Sequence, residues 1–385
     1  MTEGLSLEER IAATIEAYSA QGDHRTGTAV DEQSARWLAA ELEQIGVDAS
    51  LDAFPLDRLT VNQAALMLGD EALEGVPLYD CTYTGEQGVR AALGEPGTLG
   101  TIGLLELTEF GGGDGTARLR ALRRSDHVGL IVMVRSQGSD AGPAVLNAES
   151  FREPYGVPVL QLPHQLAPRL RAVAASGQPV RLVAHCGRER ARAFNVQARI
   201  EGRDRNAPPL VVMTPRSGWW RCASERGGGI AAFLEIARTF STSKPSRPVI
   251  LTANSGHELS HLGLDHYLEQ HPGLIEQAHA WIHLGANFAA ADAPVLMQYS
   301  DAELENLAQR SLTQHRLHPD QVTPIGQRPL GEARNVFDGG GRYVSLLGGN
   351  PLFHHPDDRW PDAVDLAKVI SWTGMMVSVA QMLSA

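Results

Sequence analysis

His257-Glu258-Leu259-Ser260-His261 sets two imidazoles four residues apart around a carboxylate, the H-E-x-x-H string. On one helix that spacing turns both histidines to one face, where they hold zinc while the glutamate acts as general base. The flanks argue against one helix through both histidines. An apolar run, Pro248 to Ala253, precedes the string and Gly256 stands just before it. His257 is therefore expected at a strand end, outside the helix that follows. The longer pattern H-E-x-x-H-x-x-G-x-x-H also fails, because Gly263 and His266 each arrive one residue early. Without a metal, His257, Glu258 and His354 suit acid/base chemistry, since histidine titrates near neutrality and a carboxylate can orient it. Ser217 or Ser224 would then serve as the nucleophile of a Ser-His-Glu arrangement, although no G-x-S-x-G elbow is present. Gly227-Gly228-Gly229 lacks the lysine and the acidic ribose partner of a phosphate loop and reads as close approach of loop and sheet.

These residues need a scaffold, and its periodicity is readable. Apolar positions at helical spacing mark 7–19 (Ile11, Ile15, Tyr18) and 31–45 (Ala35, Leu38, Leu42, Ile45), with Gly46 as a stop. Ser6 and Glu9 form a capping-box pattern, so the N-terminus reads as a helix start and not a signal peptide. Val47 to Phe54 alternates as a strand does. Residues 60–190 are glycine-rich, with short apolar runs (Val128 to Val134, Val157 to Leu162) separated by loops such as Gly111 to Gly115. From about 192 strands and helices alternate. Strands are predicted at 193–200, 210–214, 248–253 and 280–284, and helices at 228–240, 262–270, 302–314 and 362–383, the last starting near Pro361. The fold class is α/β, a mostly parallel central sheet flanked by helices, with a smaller β-rich insertion. Sites in such sheets form at the carboxyl ends of strands, here 215–226, 255–258 and 283–287.

Composition narrows the partners. At 385 residues, 43% hydrophobic and 20% charged, the chain reads as an ordinary globular protein. A net charge of −12 argues against nucleic acid and anionic membrane surfaces. No apolar run of about 18 residues is evident, so no membrane span is expected. Cys81, Cys186 and Cys222 are odd in number and far apart, which suits a reduced, cytoplasmic protein.

Residues 192–385 resemble the co-catalytic zinc aminopeptidase family, which includes glutamate carboxypeptidase II, glutaminyl cyclase and the transferrin receptor. The resemblance lies in five ordered segments: Val211-Val212-Met213-Thr214-Pro215-Arg216-Ser217, Ser224 to Glu235, Gly256-His257-Glu258-Leu259, Ile282-His283-Leu284-Gly285 and Phe353 to Asp358. It implies an aminopeptidase-like domain from 1–59 and 191–385, and 60–190 resembles the protease-associated domain that several members insert. The family's first-loop His and Asp match Pro215 and Ser217, its bridging Asp matches Ser224, its general base matches His257 and a later Asp matches Gly285. Of its ligands, Glu258 and His354 remain. The resemblance thus implies at most one zinc, held by Glu258 and His354 with help from Glu225, His257 or His355.

Loss of carboxylates leaves Arg216, Arg221 and Arg226 near the first two loops, and Gly331 to Phe337 resembles a substrate-facing loop that brings Arg334 and Asn335. Arginines bind carboxylates bidentately. Arg216, Ser217, Trp219, Trp220, Ser224, Arg334 and Asn335 are therefore the expected substrate contacts, and a small acidic molecule or peptide end the expected ligand. The leading expectation is a hydrolase relative with a degenerate zinc site acting on an amide or related bond, with elimination or isomerisation open if no metal binds. The alternative is a non-catalytic binding scaffold, as in the transferrin receptor. A homodimer would need an apolar face on the insertion, and none is legible.

Overall fold

A computed structural model describes residues 4–108 and 113–385. Helix α1 (Leu7–Ala20) opens on the expected capping box: Glu9 N donates to Ser6 Oγ, and Ser6 N donates to Glu9 Oε2 at 2.7 Å. Thr28 caps α2 (Ala29–Gln44) through Asp31 N. The apolar stripes of both helices, Ile11, Ile15 and Tyr18 with Ala35, Leu38 and Leu42, are buried.

The chain then passes through β1 (Ala49–Leu68), β2 (Glu71–Glu74), β3 (Val76–Pro77), β4 (Val89–Gly94), β5 (Ile102–Leu107), α3 (Gly113–Leu122), β6 (Gly129–Val134), β7 (Val159–Gln161) and α4 (Ala167–Ser176) before β8 (Pro179–Ile200) returns. Strands β1 and β8 pair antiparallel from Ala49 opposite Ala198 to Met67 opposite Arg181, a long ribbon that carries the chain out to residues 60–190 and back. Strands β4 to β7 pair parallel in order. Parallel neighbours need a crossover, and α3 supplies the one between β5 and β6. Gly113 to Gly115, expected in a loop, begin that helix instead. Residues 109–112, which include the rest of that glycine run, lie outside the described residues.

The remainder reads β9 (Leu210–Pro215), α5 (Gly227–Thr242), β10 (Val249–Asn254), α6 (Leu262–Gln270), α7 (Leu274–Gln277), β11 (Ala280–Leu284), β12 (Val295–Tyr299), α8 (Ala302–His315), β13 (Gln321–Thr323), α9 (Ala333–Asp338), β14 (Tyr343–Gly348) and α10 (Leu366–Ser384). The sheet order is β13-β12-β14-β11-β9-β10-β8, and β14, β11, β9 and β10 run parallel. Residues alternate across this centre, as strand geometry requires. Val212, Ile282 and Val344 join a core with α1, α2, α5, α8 and α10, whereas Val211, Met213, Trp281 and Tyr343 pack under α6 and α9. Burial on both faces is why these strands are continuous apolar runs.

Two details differ from expectation. The last helix starts at Leu366, capped by Asp365, and not near Pro361, which follows a cis peptide. By length and composition α10 is apolar enough to cross a bilayer, where no such run is expected from the sequence. Its Val369, Trp372, Met375, Met376, Val379 and Leu383 are buried in the main core, which explains that apolarity.

Candidate active site

The carboxyl ends of β9, β10, β11 and β14 share one rim, where parallel sheets of this kind place their sites. The insertion closes the other side by backbone contact: Val145 N donates to His354 O at 3.2 Å, Ala148 N to Glu258 O at 2.8 Å and Gly138 N to Pro351 O at 2.9 Å. A cavity of about 500 Å³ lies between them, lined among others by Asn147, His257, His261, Leu330, Glu332, Arg334 and Phe353. A second, of about 160 Å³, shares His257, Asn147, Arg334 and Phe353 and adds Ser260 and His354. Five of the seven non-glycine residues with positive φ among the described residues (Cys222, Ser260, His261, Asn287 and His354) lie in these rim loops. Strained backbone concentrates where function holds it.

The centre of the site is a buried carboxylate ringed by imidazoles. Glu332 Oε1 is hydrogen-bonded to His257 Nδ1, and Glu332 Oε2 lies 3.1 Å from His283 Nε2. Ser345 Oγ fixes the far side of His283, 2.8 Å from Nδ1. His261 stacks on His257 with ring centroids 5.1 Å apart and is anchored by Asn335 Oδ1, 2.8 Å from its Nδ1. Burial, then the charge of Arg226, lowers His257 to about 3. Burial alone would raise Glu332, but the imidazoles of His257 and His261 and the hydrogen bonds from His257 and His283 outweigh it and hold the carboxyl well below its usual range.

The string 257–261 is not a zinc helix. His257 to Leu259 form a single 3-10 turn, Ser260 and His261 adopt φ of 66° and 64°, and α6 starts only at Leu262. His257 therefore lies outside the helix, as its flanks indicate. Glu258 turns away from the cavity. Its Oε1 accepts from Thr26 N at 2.7 Å and Thr26 Oγ1 at 2.6 Å, and its Oε2 accepts from Ser217 Oγ at 2.6 Å. Ser217 Oγ in turn accepts from Gly256 N and His257 N. Both side chains, expected to do chemistry or bind substrate, are instead the buried clamp that seats the 255–258 loop.

The other expected contacts divide. Arg216 is fully buried: it donates to Asp31 O and Phe194 O at 2.7 and 2.6 Å and pairs with Asp31 Oδ1 at 2.9 Å, so it ties α2 to the sheet and lines neither cavity. Trp219 is buried against Tyr79, with its Nε1 donating to Asn147 Oδ1. Trp220 donates to His354 O beneath the Arg25 guanidinium. Ser224 N donates to Asp358 Oδ1 at 2.7 Å, and its hydroxyl accepts from Asn350. Asp358, pushed up to about 7 by burial and by Glu225, thereby braces the turn into α5. Asn335 orients His261. Arg334 lines both cavities, its Nη2 3.2 Å from His261 Nε2.

The zinc position that the resemblance implies does not fit a metal. Glu258 is saturated, and Ser224 is a braced, neutral hydroxyl. At Gly285 a Cβ would lie 2.6 Å from His283 Cε1, so the imidazole fills the space another ligand would need. Glu225 does approach His354, Oε1 to Nε2 at 3.5 Å, but Arg226 Nη2 sits 2.7 Å from the same oxygen. A fixed guanidinium thus occupies the anionic corner where a cation would be held. Burial, then Arg226, lowers His354 to about 3.

Sequence reasoning named His257, Arg334 and Asn335 in this cluster but assigned no role to Glu332, and set His261 and His283 aside. Glu332 stood in the loop quoted for Arg334, and an acid two residues before that arginine was the available signal. His283 sat within the apolar strand Ala280–Leu284, where a histidine reads as core.

Residues 195–328 match the family model described as Peptidase family M28. Over nearly the whole chain the fold is similar to BSAP, a zinc aminopeptidase from Bacillus subtilis (15% identity, 97% of this chain and 93% of that one, TM-score 0.79). It is also similar to an M28 peptidase precursor from Shewanella amazonensis (16%, 98% and 95%, 0.78) and an aminopeptidase from Aneurinibacillus sp. strain AM-1 (18%, 98% and 94%, 0.71). No curated protein sequence is significantly similar. Neither family nor fold supports elimination or isomerisation. Residues 195–328 carry the sequence pattern of peptidase family M28, and the chain has the α/β fold of the zinc aminopeptidases.

Proposed function

We propose that this protein hydrolyses an amide bond in a small substrate bearing a carboxylate, in the cavity between the insertion and the sheet. The observation that carries the reading is the convergence of His257, His261 and Glu332 at a cavity wall that also presents Arg334. With His257 Nδ1 engaged by Glu332, the lone pair at Nε2 is what the imidazole offers a water as a base. Arg334 supplies a fork for a substrate carboxylate, and Leu330, Leu347 and Phe353 give the cavity an apolar wall.

Dipeptides and N-acyl amino acids with free or blocked carboxylates, assayed for new amine by mass spectrometry, test the reading. Turnover should favour free carboxylates, and Arg334→Ala should raise KM about 10–100-fold, the size of a lost charged hydrogen bond. Binding of such compounds without turnover anywhere in the panel would favour the scaffold alternative.

A further inference from the structure

We infer that His257, His261 and Glu332 form a binding site for one divalent transition-metal ion, zinc in the first instance, at a place other than the one the family resemblance implies. One ligand atom from each residue lies within 4.8 Å of the other two, and all three residues are buried. Two imidazoles and one carboxylate form a donor set that holds catalytic zinc.

The remaining atoms of these residues are already committed, which aims the free ones. Asn335 takes His261 Nδ1 and leaves Nε2, while His257 Nδ1 and Glu332 Oε1 face each other, and the ion would lie between them in place of their hydrogen bond. His283, held by Ser345, fixes the carboxylate from behind. Such outer partners set tautomer and orientation in metal sites. All three residues line the 500 Å³ cavity, so ion and water have access. Two consecutive left-handed residues, Ser260 and His261, separate the 3-10 turn from α6, and this break brings the histidines together without a shared helix.

Arg334 Nη2 lies 3.2 Å from His261 Nε2, where the ion would bind. Arg334 is only partly buried, and a metal would displace its guanidinium toward the cavity. Metal and arginine thus compete for one nitrogen. The inference rests on the hydrolase reading only for what the ion would do, which is to lower the pKa of a bound water; binding itself is independent of it.

The full chain, stripped with chelator and then titrated with zinc chloride, tests this by calorimetry and elemental analysis, with cobalt(II) absorption as a report on coordination. One equivalent should bind. His261→Gln and Glu332→Gln should each weaken binding at least tenfold, whereas His354→Gln and Glu225→Gln should not, and Arg334→Ala should tighten it. Folding of each variant is checked by circular dichroism, and if Glu332→Gln fails to fold, His261→Gln decides. No binding by the native chain, or binding unchanged in His261→Gln, overturns the inference. Absence of zinc binding with amide turnover retained overturns it while sparing the hydrolase reading. Stoichiometric zinc on the three residues without amide turnover would do the reverse.

Discussion

Arg226 Nη2 lies 2.7 Å from Glu225 Oε1, and both side chains are buried at the mouth of α5. Arg226 Nε also donates to Ser217 O at 2.7 Å, so the guanidinium bridges the first loop and the turn into the helix. Burial works against its charge, but Glu225 and its other anionic neighbours leave Arg226 raised. Breaking a buried pair from one side strands a charge. Arg226→Met should therefore cost about 3–5 kcal/mol, read by urea denaturation. Adding Glu225→Gln should cost less than the sum of the two single losses.

Two arginines that look equivalent in sequence should behave oppositely. Arg216→Met leaves Asp31 buried without its partner and should lose about 3–5 kcal/mol. Arg334→Ala removes a cavity group and should change stability by under about 0.5 kcal/mol while raising KM. Thermal unfolding paired with steady-state kinetics separates them.

Glu258 is a clamp, so Glu258→Gln should act on the fold first. The amide would present an N–H to a donor, costing about 1–3 kcal/mol. The loop 255–258 should loosen in hydrogen exchange at Gly256 and His257. Loss of turnover with unchanged stability and exchange would restore Glu258 as a chemical group.

His24 gives a pH signature away from the site. It stacks on Tyr18 with ring centroids 3.8 Å apart, and burial, then Arg216, lowers it to about 3. A histidine depressed in the folded state contributes stability that is present above its unfolded pKa, near 6.5, and is lost as pH falls toward 3. His24→Phe keeps the stacked ring and should flatten the acid limb between pH 6.5 and 3 by up to about 1.4 kcal/mol per pH unit. Denaturant midpoints at half-unit pH steps check this.

The sheet centre was legible because Leu210 to Thr214, Val249 to Ala253 and Ala280 to Leu284 are apolar runs buried on both faces. Strand β14 escaped notice although it pairs with β11 at the centre, because Tyr343–Gly348 is six residues with no helical or alternating pattern. His257 was legible from its strand-end position. Its partner Glu332 is 75 residues away, and only the arch of the 330–335 loop over the 3-10 turn joins them. The structural place of Arg216 was hidden for a similar reason. Burial of Arg216 depends on Asp31 in α2, a contact across 185 residues that no local pattern encodes.

The central claim is that chemistry has moved from the family's metal position to the His257–Glu332 cluster. The most direct measurement is kcat/KM of Glu332→Gln against the native chain on the best amide found, with the folded fraction of each verified. The account predicts a fall of at least about 10²-fold. A value within twofold of the native chain would contradict it.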